Sequence, residues 1–276
     1  MRGPTPHPKL DERQVAQAFW DSIGPMKGDG FDDYQGMSWS ERAKLDPLRA
    51  GLDPRDDLGR KNAHIDRVQR HALLRGLAEA QILRGVSSVR ALDFGCGGGR
   101  MFATLARWTD ELWGLDRNVE MVELARRLNV MPPERVVVWD GQGAPPVPTS
   151  FDLIVSIGVT LTPELLESVA PELAQIAGER CVLVLIEQTD RGRGLTIERY
   201  RRTFAESGFV LRSERPVRLG TRSPFARIAR QPLPSFVAAA AARAELAFAP
   251  TIHSSAAYVD HLMVLTRESA DRAPSA

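Results

Sequence analysis

With 276 residues, the chain is long enough for one α/β domain of ordinary size plus an extension. A hydrophobic share of 43% supplies a full core and argues against disorder, and a formal net charge of +1 singles out no class of partner. Two cysteines, Cys96 and Cys181, are too few for a disulfide framework or a zinc site and read as buried free thiols.

Three prolines within residues 1–9 mark a loose tail. The N-terminal stretch lacks the apolar core of a secretory signal, and the most apolar later stretch, Phe236–Ala249, is interrupted by Arg243 and Glu245. A cytoplasmic location is therefore expected. Asp11 is suited to cap a helix whose apolar positions are Val15, Ala18, Phe19 and Ile23. A glycine-rich acidic loop follows. Ser38 and Glu41 then form a capping box for a short helix that should stop near Asp46-Pro47. A longer helix is predicted over Leu58–Arg84, with Ile65, Val68, Ala72, Leu73, Leu77 and Ile82 on one face and Gly85 just past its end. Residues 1–85 thus read as an N-terminal helical extension, and Phe19, Trp20, Tyr34 and Trp39 could wall a lid. The polar run from Gly59 to Asp66 reads either as an anion-docking helix start or as a solvated helix end.

The central stretch is Val89–Arg100, VRALDFGCGGGR. An apolar strand ends in Asp93 and a run of glycines, and MFATLARW then begins a helix. Strand, glycine turn and helix open a nucleotide-binding α/β domain. A dinucleotide site would want a third glycine where Arg100 or Phe102 stands, which argues against an NAD-dependent oxidoreductase. From here β and α patterns alternate, predicting a mostly parallel sheet with helices on both faces in a domain of residues 86–276. Strands are predicted at 89–94, 111–116, 135–139, 151–157 and 180–187, and helices at about 100–108, 118–128 and 163–177. Thr196 caps a further helix over 197–207, with Leu195 and Tyr200 as a hydrophobic staple and Gly208 as its stop. Two late strands follow at 209–219 and 257–267, separated by a helical insertion at about 222–256 that includes the alanine-rich run Pro232–Pro250.

The pattern Asp93-x-Gly95-x-Gly97-x-Gly99 resembles motif I of the class I S-adenosylmethionine (SAM)-dependent methyltransferases. The resemblance implies a seven-stranded Rossmann-like sheet with an antiparallel last strand beside the fifth, and SAM as cofactor. It assigns Asp93, Phe94, Gly95, Cys96, Gly97 and Gly99 to the cofactor turn. Asp116, at the end of the second strand, would accept the ribose hydroxyls, with Arg117 beside it. Asp140 and Gly141, after the third strand, would meet the adenine. Ser156, near the end of the fourth, would lie by the transferable methyl group. No Pro-Pro-aromatic signature follows the fourth strand and no cysteine stands in a Pro-Cys context, which disfavours nucleobase methylation.

The implied activity is methyl transfer to a small-molecule acceptor. A non-catalytic SAM-binding scaffold is the alternative. A dedicated base is optional, because the methyl group arrives activated; His253 and Glu187 are the candidates, and no metal site is expected. Residues 191–230 hold eleven arginines, no lysine and three glutamates, a local charge of +8 against −7 for the rest. The excess fits a phosphorylated or lipid-linked acceptor, or membrane contact through 191–250, and equally a solvated surface. Nucleic acid ranks lower, since no aromatics are interleaved for stacking.

Overall fold

The computed structural model describes residues 52, 56, 58–80, 88–127, 131–141, 143–160, 162–190, 194–218, 224–229, 231–252 and 258–267. The helix expected after Asp11, the Ser38–Glu41 capping box, the lid aromatics and Gly85 lie outside these residues. The described elements are, in chain order, α1 (Arg60–Glu79), β1 (Arg90–Phe94), α2 (Phe102–Leu105), β2 (Glu111–Asp116), α3 (Val119–Arg127), β3 (Val136–Val138), β4 (Phe151–Ile157), α4 (Pro163–Ile176), β5 (Ala177–Asp190), α5 (Ile197–Glu206), β6 (Phe209–Arg218), α6 (Pro224–Ala229), α7 (Ser235–Ile252) and β7 (Tyr258–Arg267).

The strands form one sheet in the order β3-β2-β1-β4-β5-β7-β6. β1 to β5 pair in parallel, and β7 runs antiparallel to both β5 and β6. The central strands are buried on both sides, as their continuous Val, Ile and Leu runs dictate. Two cores result. One lies under α1, α2 and α3 and includes Leu73, Phe102, Val122, Val184 and Leu262. The other lies under α4 and α5 and includes Ile154, Leu173, Tyr200, Phe204 and Phe209.

Local chemistry sets the element ends. Thr162 and Thr196 cap α4 and α5, each hydroxyl accepting the N–H three residues on at 3.2 Å. Leu195 and Tyr200, the expected staple, are both buried in the second core. Gly208 takes φ 81° and ends α5. The helix expected at 100–108 contracts to the single turn α2. Gly99 has φ 78°, which forbids an earlier helical start, and Trp108 N–H bonds to Leu105 O in a tighter i to i+3 turn. Among the described residues no helix is long and apolar enough to cross a membrane.

Candidate functional site

The parallel strands all point their carboxyl ends at one edge, where doubly wound sheets bind ligands. Gly95, Gly97 and Gly99 carry positive φ of 72°, 54° and 78° there, a region costly for any residue with a Cβ. Two of them are also packed. A Cβ at Gly95 would meet Val159 Cγ2 at 2.2 Å, and one at Gly99 would meet the Phe102 ring at 2.6 Å. Gly97 differs, since nothing lies within 4 Å of its would-be Cβ. Gly141 and Gly158, at the ends of β3 and β4, also have positive φ and face open space. The three open glycines leave a bare strip, the trough, along the carboxyl ends of β1, β3 and β4.

The amides of the turn serve its own shape. Gly95 and Cys96 N–H both donate to Leu115 O, Gly99 N–H donates to Cys96 O, and Gly97 N–H donates to Asp116 Oδ2 at 2.8 Å. The Cys96 thiol lies in the core, 3.1 Å from where a Gly114 Cβ would stand, and burial pushes its pKa well up. Cys181 is buried likewise. Phe94 is buried edge-on against Trp139, with centroids 6.2 Å apart. The side chains of Phe94 and Cys96 therefore shape the turn from below.

Three carboxylates face the trough in different states. Asp93 is 3% exposed, and no hydrogen bond from a described residue reaches it. Burial raises its pKa to about 7, Arg100 opposing the shift and Asp116 adding to it. Asp116 is half-buried, and burial raises its pKa against the donors around it. Its Oδ1 accepts Asn118 N–H at 2.9 Å and its Oδ2 accepts Gly97 N–H. One lone pair remains on each oxygen, which suits a pair of neighbouring hydroxyls. Asp140 is exposed on the rim, with Arg117 reaching its carbonyl at 3.5 Å. The sequence reading thus placed Asp93, Gly97, Asp116, Asp140 and Gly141 along one edge.

The β4–β5 side behaves otherwise. Glu187 is fully buried, and burial pushes its pKa up to about 7. Its Oε1 accepts the Ser156 hydroxyl at 2.8 Å and Val159 N–H at 3.2 Å, while Oε2 accepts Thr160 N–H at 3.0 Å. Thr160 is tied in turn to the Tyr200 hydroxyl at 2.8 Å. Glu187 fastens the loop that packs on Gly95, and three donors from within the fold converge on it. The Ser156 hydroxyl is turned away from the trough. His253 lies outside the described residues.

The sequence reading missed a buried polar network on α1. Asp66 accepts from Arg70 at 2.7 Å and from Arg100 at 3.0 Å, and Arg100 also donates to Gln69 at 2.6 Å. Arg70 reaches Thr104 and the Arg100 carbonyl, so α1 is bolted to the glycine turn. On the other side Asp260 accepts a two-pronged pair from Arg218 at 2.6 and 3.0 Å and a longer bond from Gln69 at 3.5 Å. His64 Nε2 lies 2.6 Å from Glu245 of α7, both buried, while its Nδ1 has no partner. The available signal was the polar stripe Asn62, Asp66, Gln69 and Arg70 on an otherwise apolar helix, which looks like a solvated face until its partners are known.

Residues 91–178 match the family model of a methyltransferase domain. No curated protein matches the sequence. Among solved structures, a candidate sarcosine dimethylglycine methyltransferase from Galdieria sulphuraria aligns with TM-score 0.54 and 16% identity, over 73% of this chain and 86% of that one. A chain of the Haloferax volcanii complex between the Trm112 methyltransferase activator and a candidate methyltransferase aligns with TM-score 0.53 and 15% identity, over 83% and 97%. A geranyl diphosphate methyltransferase solved with its substrate and sinefungin gives 0.51 and 13%, over 70% and 77%. At these identities the likeness is one of fold. The segment 91–178 is a methyltransferase domain, and the sheet that carries it has the strand order of the class I SAM-dependent enzymes.

Proposed function

We propose that the chain transfers a methyl group from SAM to a small-molecule acceptor. The observation that carries this reading is the acceptor capacity left on Asp93 and Asp116 beside the bare glycines of that edge. Bound SAM supplies a methyl group on an activated sulfonium. The residues fit it. Asp116 would accept the ribose hydroxyls on its two remaining lone pairs, and Asp140 with Gly141 would border the adenine. Asp93 would face the cationic methionine end, which compensates a carboxylate that is otherwise buried without a donor. Gly97 and Gly158 leave room for close approach. Asp66 and Arg70 of α1 hold the turn through Arg100, so that edge is preorganised before a ligand arrives.

On the acceptor side Glu187 acts as a positioning residue. It fixes the 156–160 loop and takes no proton from the acceptor. The arginines of 191–230 give little support to an anion site there. Arg199 pairs with Glu167, Arg215 with Glu79 and Arg218 with Asp260, and Arg212 donates to Thr266. These four lie on several elements and are occupied within the fold.

The test is isothermal titration of the intact chain with SAM, S-adenosylhomocysteine (SAH) and NADH. Saturable binding of SAM and SAH with none of NADH is expected. Absence of binding by both sulfur ligands would overturn the assignment.

A further inference from the structure

On α1 the arginines differ in what they touch. Arg70 is held by Asp66, Thr104 and the Arg100 carbonyl, and Arg75 pairs with Glu79. Arg67 is half-buried and has no hydrogen-bonding or ionic partner among the described residues. It lines a cleft of about 550 Å³ together with Arg60 and Ala63 of α1, Gln231, Pro232, Leu233 and Pro234 of the α6–α7 turn, and Ala238 of α7. Among the described residues no carboxylate lines it, and its far wall is apolar but for Gln231. That volume lies in the range of small-ligand sites.

The wall is built to stay in place. Pro232 and Pro234 restrict the turn, Gln231 N–H bonds to Ile228 O, and Val237 and Ala238 N–H both bond to Pro234 O. Arg60 and Arg67 stand seven residues apart, two helical turns, and so project from one side of α1. The cleft lies on the helix that is tied to the glycine turn. Asp66, next to Arg67 in the chain, is bonded to Arg100 of the glycine turn. His64, next to Ala63, is buried and leaves Nδ1 without a partner.

We propose that this cleft binds an anionic small molecule with an apolar body, and that Arg67 holds its carboxylate or phosphate group. A half-buried guanidinium with donors to spare, opposite an apolar wall and without a competing carboxylate, recognises that chemistry. Resting on the methyltransferase reading, the ligand is the acceptor, whose charged end anchors here while the reacting group reaches the trough. Binding energy from such a remote anchor is available to orient the reacting end.

The experiment titrates the intact chain with hexanoate, hexyl phosphate, hexanol and hexyltrimethylammonium, and separately with SAH. The wild type should bind one or both anions and bind the alcohol and the cation far more weakly. Whichever anion binds tighter identifies the head group. Arg67→Gln should weaken anion binding by about tenfold or more, the loss of a charge-assisted hydrogen bond. Arg67→Lys should recover part of it, and SAH binding should be unchanged in both variants, which also reports that they fold. Anions binding no tighter than hexanol, or equally tightly to Arg67→Gln, would overturn the proposal. If the anions bind as expected while the wild type fails to bind SAH, the cleft stands and the methyltransferase reading falls.

Discussion

The two halves of the sheet's carboxyl edge hold similar acids in opposite states. On the β4–β5–β7 half, Glu187 and Asp260 are buried and each held by three hydrogen bonds from inside, Glu187 by a hydroxyl and two amides and Asp260 by Arg218 and Gln69. On the β1–β2–β3 half, Asp93 is buried with no donor among the described residues, Asp116 is half-used, and Asp140 is exposed. Glu187 and Asp93 share one pKa direction and one cause, since burial raises both to about 7. Only the hydrogen-bond inventory separates them. A spent carboxylate marks scaffold, and an unspent one marks the side where a ligand completes the structure.

Substitutions should break the two halves in different ways. The largest effect belongs to Arg218→Ala, which strands Asp260 as a buried charge. It should cost about 4 kcal/mol of unfolding free energy in denaturant titrations. Glu187→Ala comes next, because it leaves the Ser156 hydroxyl and the Val159 and Thr160 amides without their acceptor. A loss of about 3 kcal/mol is expected from the same measurement. Neither variant should bind SAH with much altered affinity so long as it is folded.

Asp93→Asn should act with the opposite sign. Between its ordinary value of 3.8 and about 7 the folded state keeps a proton on Asp93 that the unfolded chain has released. Stability therefore falls as pH rises through that window. Removing the charge should stabilise the ligand-free protein at pH 8 by about 2 kcal/mol, less than the full shift implies because the open trough admits water. At pH 4 the variant and the wild type should be equal. The slope between should fall, and Glu187 and Asp116, whose pKa values burial also raises, keep part of it in the same direction. Unfolding curves at both pH values decide it, and equal stability at pH 8 would place Asp93 among the spent acids.

The cofactor half was legible in sequence because its information is local. Strand ends, glycines at positive φ and the acids that follow them are contiguous, so the motif resemblance could point to Asp93, Gly97, Asp116 and Asp140. Seven strands and the capped α5 were legible for the same reason. The acceptor half was not, because its contacts are long-range. Glu187 looked like a base until Ser156, Val159 and Thr160 were seen to converge on it. The polar run Gly59–Asp66 read as an anion-docking helix start or a solvated helix end until Arg100 was brought to Asp66 across the fold. The arginine run of 191–230 looked like a patch because sequence counts charge and cannot show that Glu79, Glu167 and Asp260 take it up.

The central claim is that the unspent acceptors of the β1–β2–β3 edge bind the cofactor. Isothermal titration of SAH into Asp116→Ala tests it most directly, beside the wild type and under the same conditions. The account predicts binding weaker by about 2 kcal/mol, roughly thirtyfold. An Asp116→Ala variant that binds SAH as tightly as the wild type would contradict it.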